Sequence, residues 1–173
     1  MSQTDDPRFL IEPFDKNCHN RSAFACGVES LDLYLQEQVN QDLKRKIAAP
    51  FVLIEEGQAK VFGYYTLCAF SVHVGELPVD ITKRLPRYPD VPATLLGRLA
   101  VDQTCRGRRL GEFLLMDALR RSLKQTGKIA SFAIVVDAVN EDAQRFYLYF
   151  GFQPFPNRAD RLFLPMKTIE KLF

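Results

Sequence analysis

The sequence predicts an α/β protein in which a mixed β-sheet is covered by helices. Apolar runs of strand length alternate along the chain with stretches of helical periodicity. One run, residues 95–102, is followed by a basic turn containing two glycines and then at once by a helical stripe. The 173 residues suffice for one domain with a substantial core, so a single domain over residues 1–173 is predicted.

The first half of the chain is predicted to place one long helix between strands. Strands are expected at residues 8–14, 51–56 and 60–74. Gly63, inside the third strand, indicates a bend or a bulge. The helix is expected to begin near Val28 and to end before Pro50. Its apolar stripe consists of Leu31, Leu35, Val39 and Leu43.

The second half is predicted to alternate strands and helices. Strands are expected at residues 95–102, 129–138 and 161–166. The proline-rich residues 76–92 are predicted to be mostly loop, with one helical turn around residues 80–85. A helix is expected from Leu110, and a shorter one at residues 141–150, which Asn140 caps and Gly151 ends.

Composition and cysteine use indicate a cytoplasmic globular protein. Apolar residues make up 47% of the chain and charged residues 25%, and no run is long enough to cross a membrane. The first fifteen residues lack the basic and apolar regions of a signal peptide. Because the four cysteines show no paired spacing, reduced thiols are favoured over a zinc cluster of Cys18, His19 and Cys26, and no metal is predicted.

The net charge of +2 conceals a basic region. Residues 83–124 contain ten Lys and Arg against four Asp and Glu, so the rest of the chain is acidic. Part of this excess lies in the glycine turn, and the remainder could bind a polyanion such as RNA. The predicted RNA contacts are Lys83, Arg84, Arg87 and Arg98. The alternative is a solvated basic face without a partner.

The turn Arg106-Gly107-Arg108-Arg109-Leu110-Gly111 is predicted to bind an anion. It joins a buried strand to a helix, so the turn amides and the helix N-terminus would point to one place. The arginines add positive charge there. A phosphorylated ligand is therefore expected.

The pattern Arg106-x-x-Arg109-x-Gly111 resembles the loop with which GNAT N-acetyltransferases bind the pyrophosphate of acetyl-CoA. A second pattern, Asn140-x-x-Ala143-x-x-Phe146-Tyr147-x-x-Phe150-Gly151-Phe152, resembles the signature that follows the next strand in that family. The resemblance implies a central, mixed, mostly antiparallel twisted sheet flanked by helices, with acetyl-CoA as co-substrate. Arg109 stands where the family has glycine, so either Arg109 adopts an ordinary φ and adds a phosphate contact, or it crowds the loop.

Further motifs resemble the GNAT toxins of bacterial toxin–antitoxin pairs. They are Phe24-x-Cys26-Gly27, Leu31-Asp32-x-Tyr34-Leu35, Gly63-Tyr64-Tyr65-Thr66-Leu67, Arg87-Tyr88-Pro89-x-Val91-Pro92 and Leu96-Gly97-Arg98-Leu99-Ala100-Val101-Asp102. Those toxins acetylate the α-amino group of aminoacyl-tRNA and so block translation. The resemblance implies charged tRNA as substrate, a ribbon-helix-helix antitoxin as partner, a homodimer and no membrane association.

The resemblance also implies roles for individual residues. Tyr147 would be the general acid that protonates the leaving thiolate, although a core aromatic residue would give the same local composition. The implied cofactor-binding residues are Leu99, Ala100, Val101, Arg106, Gly107, Arg108, Arg109, Leu110, Gly111, Asn140 and Phe146. His19 and His73 are predicted to be ordinary surface or capped histidines. The lack of a recognisable base weakly favours an α-amine acceptor, which is easier to deprotonate than lysine.

Two other functions fit the sequence. One is a GNAT enzyme that acetylates a small-molecule amine or a protein N-terminus. The other is a non-catalytic module that binds acyl-CoA or an antitoxin, and Arg109 is the feature that argues for it. The basic residues 83–98 favour the tRNA substrate over both.

Overall fold

The computed structural model of the protein describes residues 6–173. In this part of the chain seven strands form one sheet in the order β1-β2-β3-β4-β5-β7-β6. The strands are β1 (Phe9–Pro13), β2 (Ala49–Glu55), β3 (Val61–His73), β4 (Asp90–Val101), β5 (Ala133–Asp137), β6 (Gln153–Phe155) and β7 (Arg158–Pro165). The pairs β1–β2, β5–β7 and β6–β7 are antiparallel, whereas β4–β5 is parallel. The mixed, mostly antiparallel sheet predicted from the sequence is confirmed.

The helices are α1 (Glu29–Leu33), α2 (Val39–Lys44), α3 (Val79–Thr82), α4 (Leu110–Gln125), α5 (Glu141–Tyr149) and α6 (Met166–Glu170). Two 3₁₀ turns cover Val74–Glu76 and Gln103–Cys105. The predicted helices are confirmed, as is Asn140 at the cap of α5. The helical turn predicted around residues 80–85 lies slightly earlier, at Val79–Thr82. Within residues 6–173 no helix combines the length and the apolar character that crossing a membrane requires.

A π-helical turn, Tyr34–Gln38, joins α1 to α2. The apolar stripe of this helix repeats every four residues, which in an α-helix of about 3.6 residues per turn would drift around the axis. The wider π turn takes up this drift. As a result Leu31, Leu35 and Val39 all remain buried, the last two completely.

The chain divides into two compact units. The first contains the residues up to Thr66 together with Arg98–Asp117, and the second contains Leu67–Gly97 and Ala118–Phe173. The core of the first unit packs aromatic side chains of different elements, with the rings of Phe24 and Tyr34 each about 6 Å from that of Tyr64 (5.6 and 6.1 Å between centroids). The single domain remains a prediction.

The core of the second unit is formed by residues of the strands β3 to β7 and by Leu77, which precedes α3. It contains Val72, Leu77, Val91, Ala93, Ala133, Val135, Phe155 and Phe163. Phe155 of β6 and Phe163 of β7 contact each other edge to face at 5.3 Å. These apolar contacts hold β6 on β7, although β6 has only three residues.

Four parts of the second unit differ from the prediction. Strand β4 begins at Asp90, inside the segment predicted as loop. It contains Pro92, which has no N–H to donate but whose carbonyl accepts a hydrogen bond from the Phe132 N–H at 2.8 Å. Strand β5 is shorter than expected, beginning at Ala133. Strand β6 and helix α6 were not predicted, since three and five residues are too few for a periodic pattern.

Gly63 allows close packing within the first unit. A Cβ built at this position would lie 2.9 Å from Leu114 Cδ1 and 3.0 Å from the Ala100 carbonyl oxygen. The first distance would force the end of the Leu114 side chain to move, and the second is a tight contact with backbone. Glycine at this position thus suits the close approach of α4 and β4 to β3.

Candidate active site

A short connection joins the end of β4 to the start of α4. After Val101, the 3₁₀ turn Gln103–Cys105 leads to two residues with positive φ, Gly107 at 78° and Arg109 at 55°. Helix α4 begins at the next residue, Leu110, and the Arg109 carbonyl accepts the Phe113 N–H at 3.2 Å. The connection therefore leads directly into a helix of sixteen residues. The first N–H groups of this helix have no hydrogen-bond partner within the helix.

Arg109 adopts the backbone conformation that glycine adopts most easily. Its φ of 55° lies in the left-handed region, so the first of the two alternatives that the sequence left open, an ordinary φ, does not hold. The side chain is exposed, which leaves it free to move away from the loop. Arginine at this position therefore keeps the glycine-like course of the chain at a cost in backbone strain.

The loop combines positive charge with a helix N-terminus. Arg106, Gly107, Arg108 and Arg109 are all exposed, whereas Leu110 is buried and anchors the first turn of α4. The Arg108 guanidinium lies 5.0 Å from the centre of the Phe9 ring, and Arg106 Nη2 lies 3.5 Å from the Cys26 carbonyl. Three cations beside the positive end of a helix dipole make a favourable environment for phosphate.

Asp102 organises the start of this loop, a role that was not predicted from the sequence. The residue is 2% exposed, and its carboxylate accepts hydrogen bonds from the Thr104 N–H and hydroxyl at 2.9 and 2.6 Å. It also accepts the Ala25 N–H at 3.1 Å, and the Gln103 N–H donates to the Ala25 carbonyl. The segment before α1 is thereby attached to the loop after β4.

Two opposing effects set the pKa of Asp102. Burial acts to raise it, but the hydrogen bonds from Thr104 and Ala25 and the charge of Lys60 together hold it below its ordinary value. The carboxylate therefore stays ionised. The Asp-x-Thr pattern after a strand could have indicated this turn, since aspartate often accepts the N–H two residues ahead.

The end of β4 extends beyond its parallel neighbour. The register pairs Thr94 with Ile134 and Leu96 with Val136, and β5 then has only Asp137 left. Strand β4, however, continues to Val101. Leu99, Ala100 and Val101 are thus the last three residues of β4.

Tyr147 lies on α5 with a buried ring. The residue is 6% exposed, and its ring contacts those of Phe146 and Phe152 edge to face at 5.2 and 5.3 Å. Among the described residues, Ser122 Oγ is the only buried side-chain N or O atom without a hydrogen-bond partner. The Tyr147 hydroxyl is therefore not a buried polar atom that lacks a partner. Burial raises the pKa of Tyr147, which keeps the phenol protonated at neutral pH.

Asn140 starts the same helix. Its side-chain oxygen accepts the Ala143 N–H at 2.8 Å, and the acidic residues Glu141 and Asp142 follow in the first turn. This is a stable helix start. Asn140, Phe146 and Tyr147 are therefore held together on one element, while the glycine loop and residues 99–101 belong to the first unit.

Both histidines make local hydrogen bonds, although His19 is buried and is therefore not the surface residue that the sequence allowed. His19 is buried, and its Nδ1 accepts the Asp15 N–H at 2.9 Å while its Nε2 lies 2.6 Å from Glu12 Oε1. His73 accepts the Gly75 N–H at 3.1 Å and caps a 3₁₀ turn. Neither histidine is presented as a general base.

The four residues predicted to contact RNA fall into different environments. Lys83, Arg84 and Arg87 are exposed on the segment between β3 and β4, in the second unit. Arg98 belongs to the first unit, and its guanidinium lies 3.5 Å from the centre of the Tyr34 ring. Arg98 is half-buried, and this cation–π contact explains its presence without RNA.

The chain is similar in sequence to a known protein family and to characterised members of it. Residues 48–154 match the family model described as the acetyltransferase (GNAT) domain. A curated relative, the tRNA-acetylating toxin of Mycobacterium tuberculosis, is 34% identical over 172 residues, which cover 99% of this chain and 98% of the relative.

Two solved structures share the fold over nearly the full length. One is the toxin AtaT complexed with acetyl-methionyl-tRNAfMet, which is 31% identical, with 96% of this chain and 99% of the other covered and a TM-score of 0.88. The other is an AtaT mutant with one tyrosine replaced by phenylalanine, bound to acetyl-CoA and to the C-terminus of the antitoxin AtaR. It is 28% identical, with 95% and 98% covered and a TM-score of 0.82. From its sequence, its fold and the match over residues 48–154, the chain belongs to the GNAT family of acetyltransferases.

Proposed function

We propose that the protein is a toxin that transfers the acetyl group of acetyl-CoA to the α-amino group of aminoacyl-tRNA and thereby blocks translation. The observation that carries this proposal is the full-length similarity to a tRNA-acetylating toxin. The glycine-like course of the loop before α4 supports it. The alternative, a non-catalytic module, depended on the idea that Arg109 crowds the loop. The positive φ and the exposed side chain of Arg109 speak against such crowding.

The cofactor would be held mainly by main-chain groups. We assign its pyrophosphate to the first N–H groups of α4, with Gly107 and Gly111 keeping the backbone accessible and Arg106, Arg108 and Arg109 adding charge. Residues Leu99, Ala100 and Val101 would offer amides to the pantetheine and to the thioester carbonyl. Asn140 and Phe146 would complete the cofactor contacts from α5. The bound acetyl-CoA supplies an activated acyl group on a thiolate leaving group.

Tyr147 would act as the general acid of the reaction. When the acceptor amine attacks the acetyl carbon, a C–N bond would form and the C–S bond would break, with the electron pair leaving on the sulfur. The Tyr147 hydroxyl would donate its proton to that sulfur, and the proton lost by the attacking nitrogen would pass through water and restore the phenol. Its raised pKa ensures that the proton is present at neutral pH, and one tyrosine-to-phenylalanine mutant among the solved relatives is consistent with such a role.

The partners of the protein follow from the same proposal. Charged tRNA would be the substrate, with Lys83, Arg84, Arg87 and Arg98 as candidate contacts. An antitoxin of the ribbon-helix-helix class would neutralise the toxin, and the active form would be a homodimer in the cytoplasm. The similarity to AtaT bound to an antitoxin supports the antitoxin itself.

The deciding experiment is to incubate the protein with radiolabelled acetyl-CoA and total charged tRNA. We expect the label to appear on the amino acid, so that alkaline hydrolysis of the aminoacyl ester releases an N-acetyl amino acid. Uncharged tRNA is the matched control and should take no label. Label that appears only on small amines or on protein N-termini would overturn the choice of substrate, while the acetyltransferase chemistry would remain.

A further inference from the structure

Tyr88 is an exposed aromatic residue on the connection between β3 and β4. It is 65% exposed, although tyrosine usually buries most of its ring. Between Lys83 and Pro89 the chain carries three cations and no acidic residue. Proteins bind single-stranded nucleic acid with exposed aromatic rings that lie among cationic side chains. The bases stack on the rings, and the phosphates contact the cations.

The backbone around Tyr88 is fixed. Tyr88 N–H donates to the Pro86 carbonyl at 2.8 Å, and the Pro89 carbonyl accepts the Val74 N–H at 2.9 Å. The two prolines restrict φ on either side of the ring. A ring presented on such a backbone loses little conformational freedom when a base stacks on it.

The same connection is anchored to the second unit by its apolar residues. Leu77 and Val91 are each 5% exposed, and Ile81 and Leu85 pack against the same core. The cations Lys83, Arg84 and Arg87 alternate with these anchors and are exposed. The acidic residues Glu76, Asp80 and Asp90 lie nearer the ends of the connection. The middle of the connection therefore presents a basic, aromatic surface on a fixed support.

We propose that Tyr88 is a stacking platform for an unpaired nucleobase of the RNA substrate, with Arg84 and Arg87 contacting the adjacent phosphates. This inference rests on the proposed function, because it presumes that the acceptor amine is carried by RNA. It assigns base stacking to Tyr88 and charge neutralisation to the two arginines. The two contributions differ in their dependence on salt, which makes them separable.

The test is direct binding of uncharged tRNA, measured by fluorescence anisotropy over a series of salt concentrations. Tyr88→Ala should weaken binding by about 5- to 150-fold at every salt concentration, which is the range that loss of one stacked base gives. It should leave the slope of affinity against salt unchanged. Arg84→Gln and Arg87→Gln should each make that slope shallower by about one counterion, since each removes a phosphate contact.

Three further variants identify the interaction. Tyr88→Phe and Tyr88→Trp should retain binding, because both keep a flat ring, whereas Tyr88→Leu should be as weak as Tyr88→Ala. Tyr149→Ala is the matched control, since Tyr149 is 84% exposed but lies on α5, which carries Glu141 and Asp142 in its first turn. An RNA duplex without unpaired bases should bind wild type and Tyr88→Ala equally. The melting temperatures of the variants confirm that each is folded.

The outcomes separate the inference from the proposed function. If wild type binds tRNA but Tyr88→Ala binds it equally well, the stacking platform is refuted and the proposed function stands. If Tyr88→Phe is as weak as Tyr88→Ala, the hydroxyl makes the contact and stacking is again refuted. If wild type binds no tRNA and acetylates other amines, the proposed substrate fails and the inference fails with it.

Discussion

Replacement of Arg109 by glycine is expected to raise the melting temperature without loss of acetyl-CoA binding. Arg109 has a φ of 55°, and an L-residue in the left-handed region costs about 1–2 kcal/mol. Glycine removes this strain, but it also destabilises the folded state by about 0.5–1 kcal/mol, because glycine gives the unfolded chain more conformational freedom. The net gain lies between about 0 and 1.5 kcal/mol, and its midpoint of about 0.75 kcal/mol corresponds to a rise of about 1.5–3 °C for a domain of this length.

Two control variants separate the backbone from the guanidinium. Arg109→Ala removes the charge but keeps Cβ, so the strain should remain and the melting temperature should not rise. Lys46 provides a matched position, because it has a φ of 57° at the end of α2, where its N–H donates to the Leu43 carbonyl. Lys46→Gly should give a similar thermal gain with no effect on the cofactor.

The measurements are thermal unfolding and calorimetric titration with acetyl-CoA. We expect equal or tighter binding for Arg109→Gly, since glycine restores the pattern of the family. If Arg109→Gly melts no higher than Arg109→Ala, the positive φ is not strained and the reasoning is wrong. If Arg109→Gly and Arg109→Ala both bind acetyl-CoA more than about tenfold more weakly, the guanidinium is itself a phosphate ligand. A loss of that size is typical when a hydrogen bond to a charged group is removed.

Three further substitutions test the site and its support. Tyr147→Phe should lower turnover by about 10²–10⁴-fold while melting and acetyl-CoA binding are retained; near-normal turnover would assign Tyr147 to the core. Gly111→Asp should abolish acetyl-CoA binding because it places a carboxylate where the phosphate is proposed, yet the fold should survive, since acidic residues suit the first turn of a helix. Unchanged affinity in that variant would exclude the pyrophosphate assignment. Gly63→Ala should destabilise the protein by about 1–3 kcal/mol in urea unfolding, because its Cβ would lie 2.9 Å from Leu114 Cδ1. Unaltered stability would show that α4 can shift at little cost.

Features that depend on local pattern were predictable from the sequence. Helix α4 has a sustained apolar stripe, and α5 has both a cap at Asn140 and a glycine, Gly151, with a φ of 91° just after its end. Each signal acts within a few residues of the element it specifies. The order of elements and the two glycine-containing signatures could therefore be read directly.

Features that depend on contacts distant in sequence were not predictable. Asp102 binds the N–H of Ala25, which lies 77 residues away, and no local pattern connects the two. Arg98 could be taken as an RNA contact because its charge is visible in the sequence, whereas its position over the Tyr34 ring is not. The sequence likewise left two alternatives open for Arg109, because the residue type alone does not fix φ. The structure gives Arg109 a left-handed φ directly before α4, which no local pattern indicates.

The hydrogen bonds of the histidines bear on which amine the enzyme can acetylate. His19 uses both ring nitrogens and His73 caps a turn, while the raised pKa of Tyr147 keeps that phenol protonated and unsuited to accept a proton. The acceptor would therefore have to reach the site as a free amine after losing its proton to water. At pH 7 this costs roughly 4–5 kcal/mol for a lysine side chain but only about 1 kcal/mol for an α-amine. The lack of a histidine suited to act as base is thus weak support for an α-amine, independently of the basic surface that favours RNA.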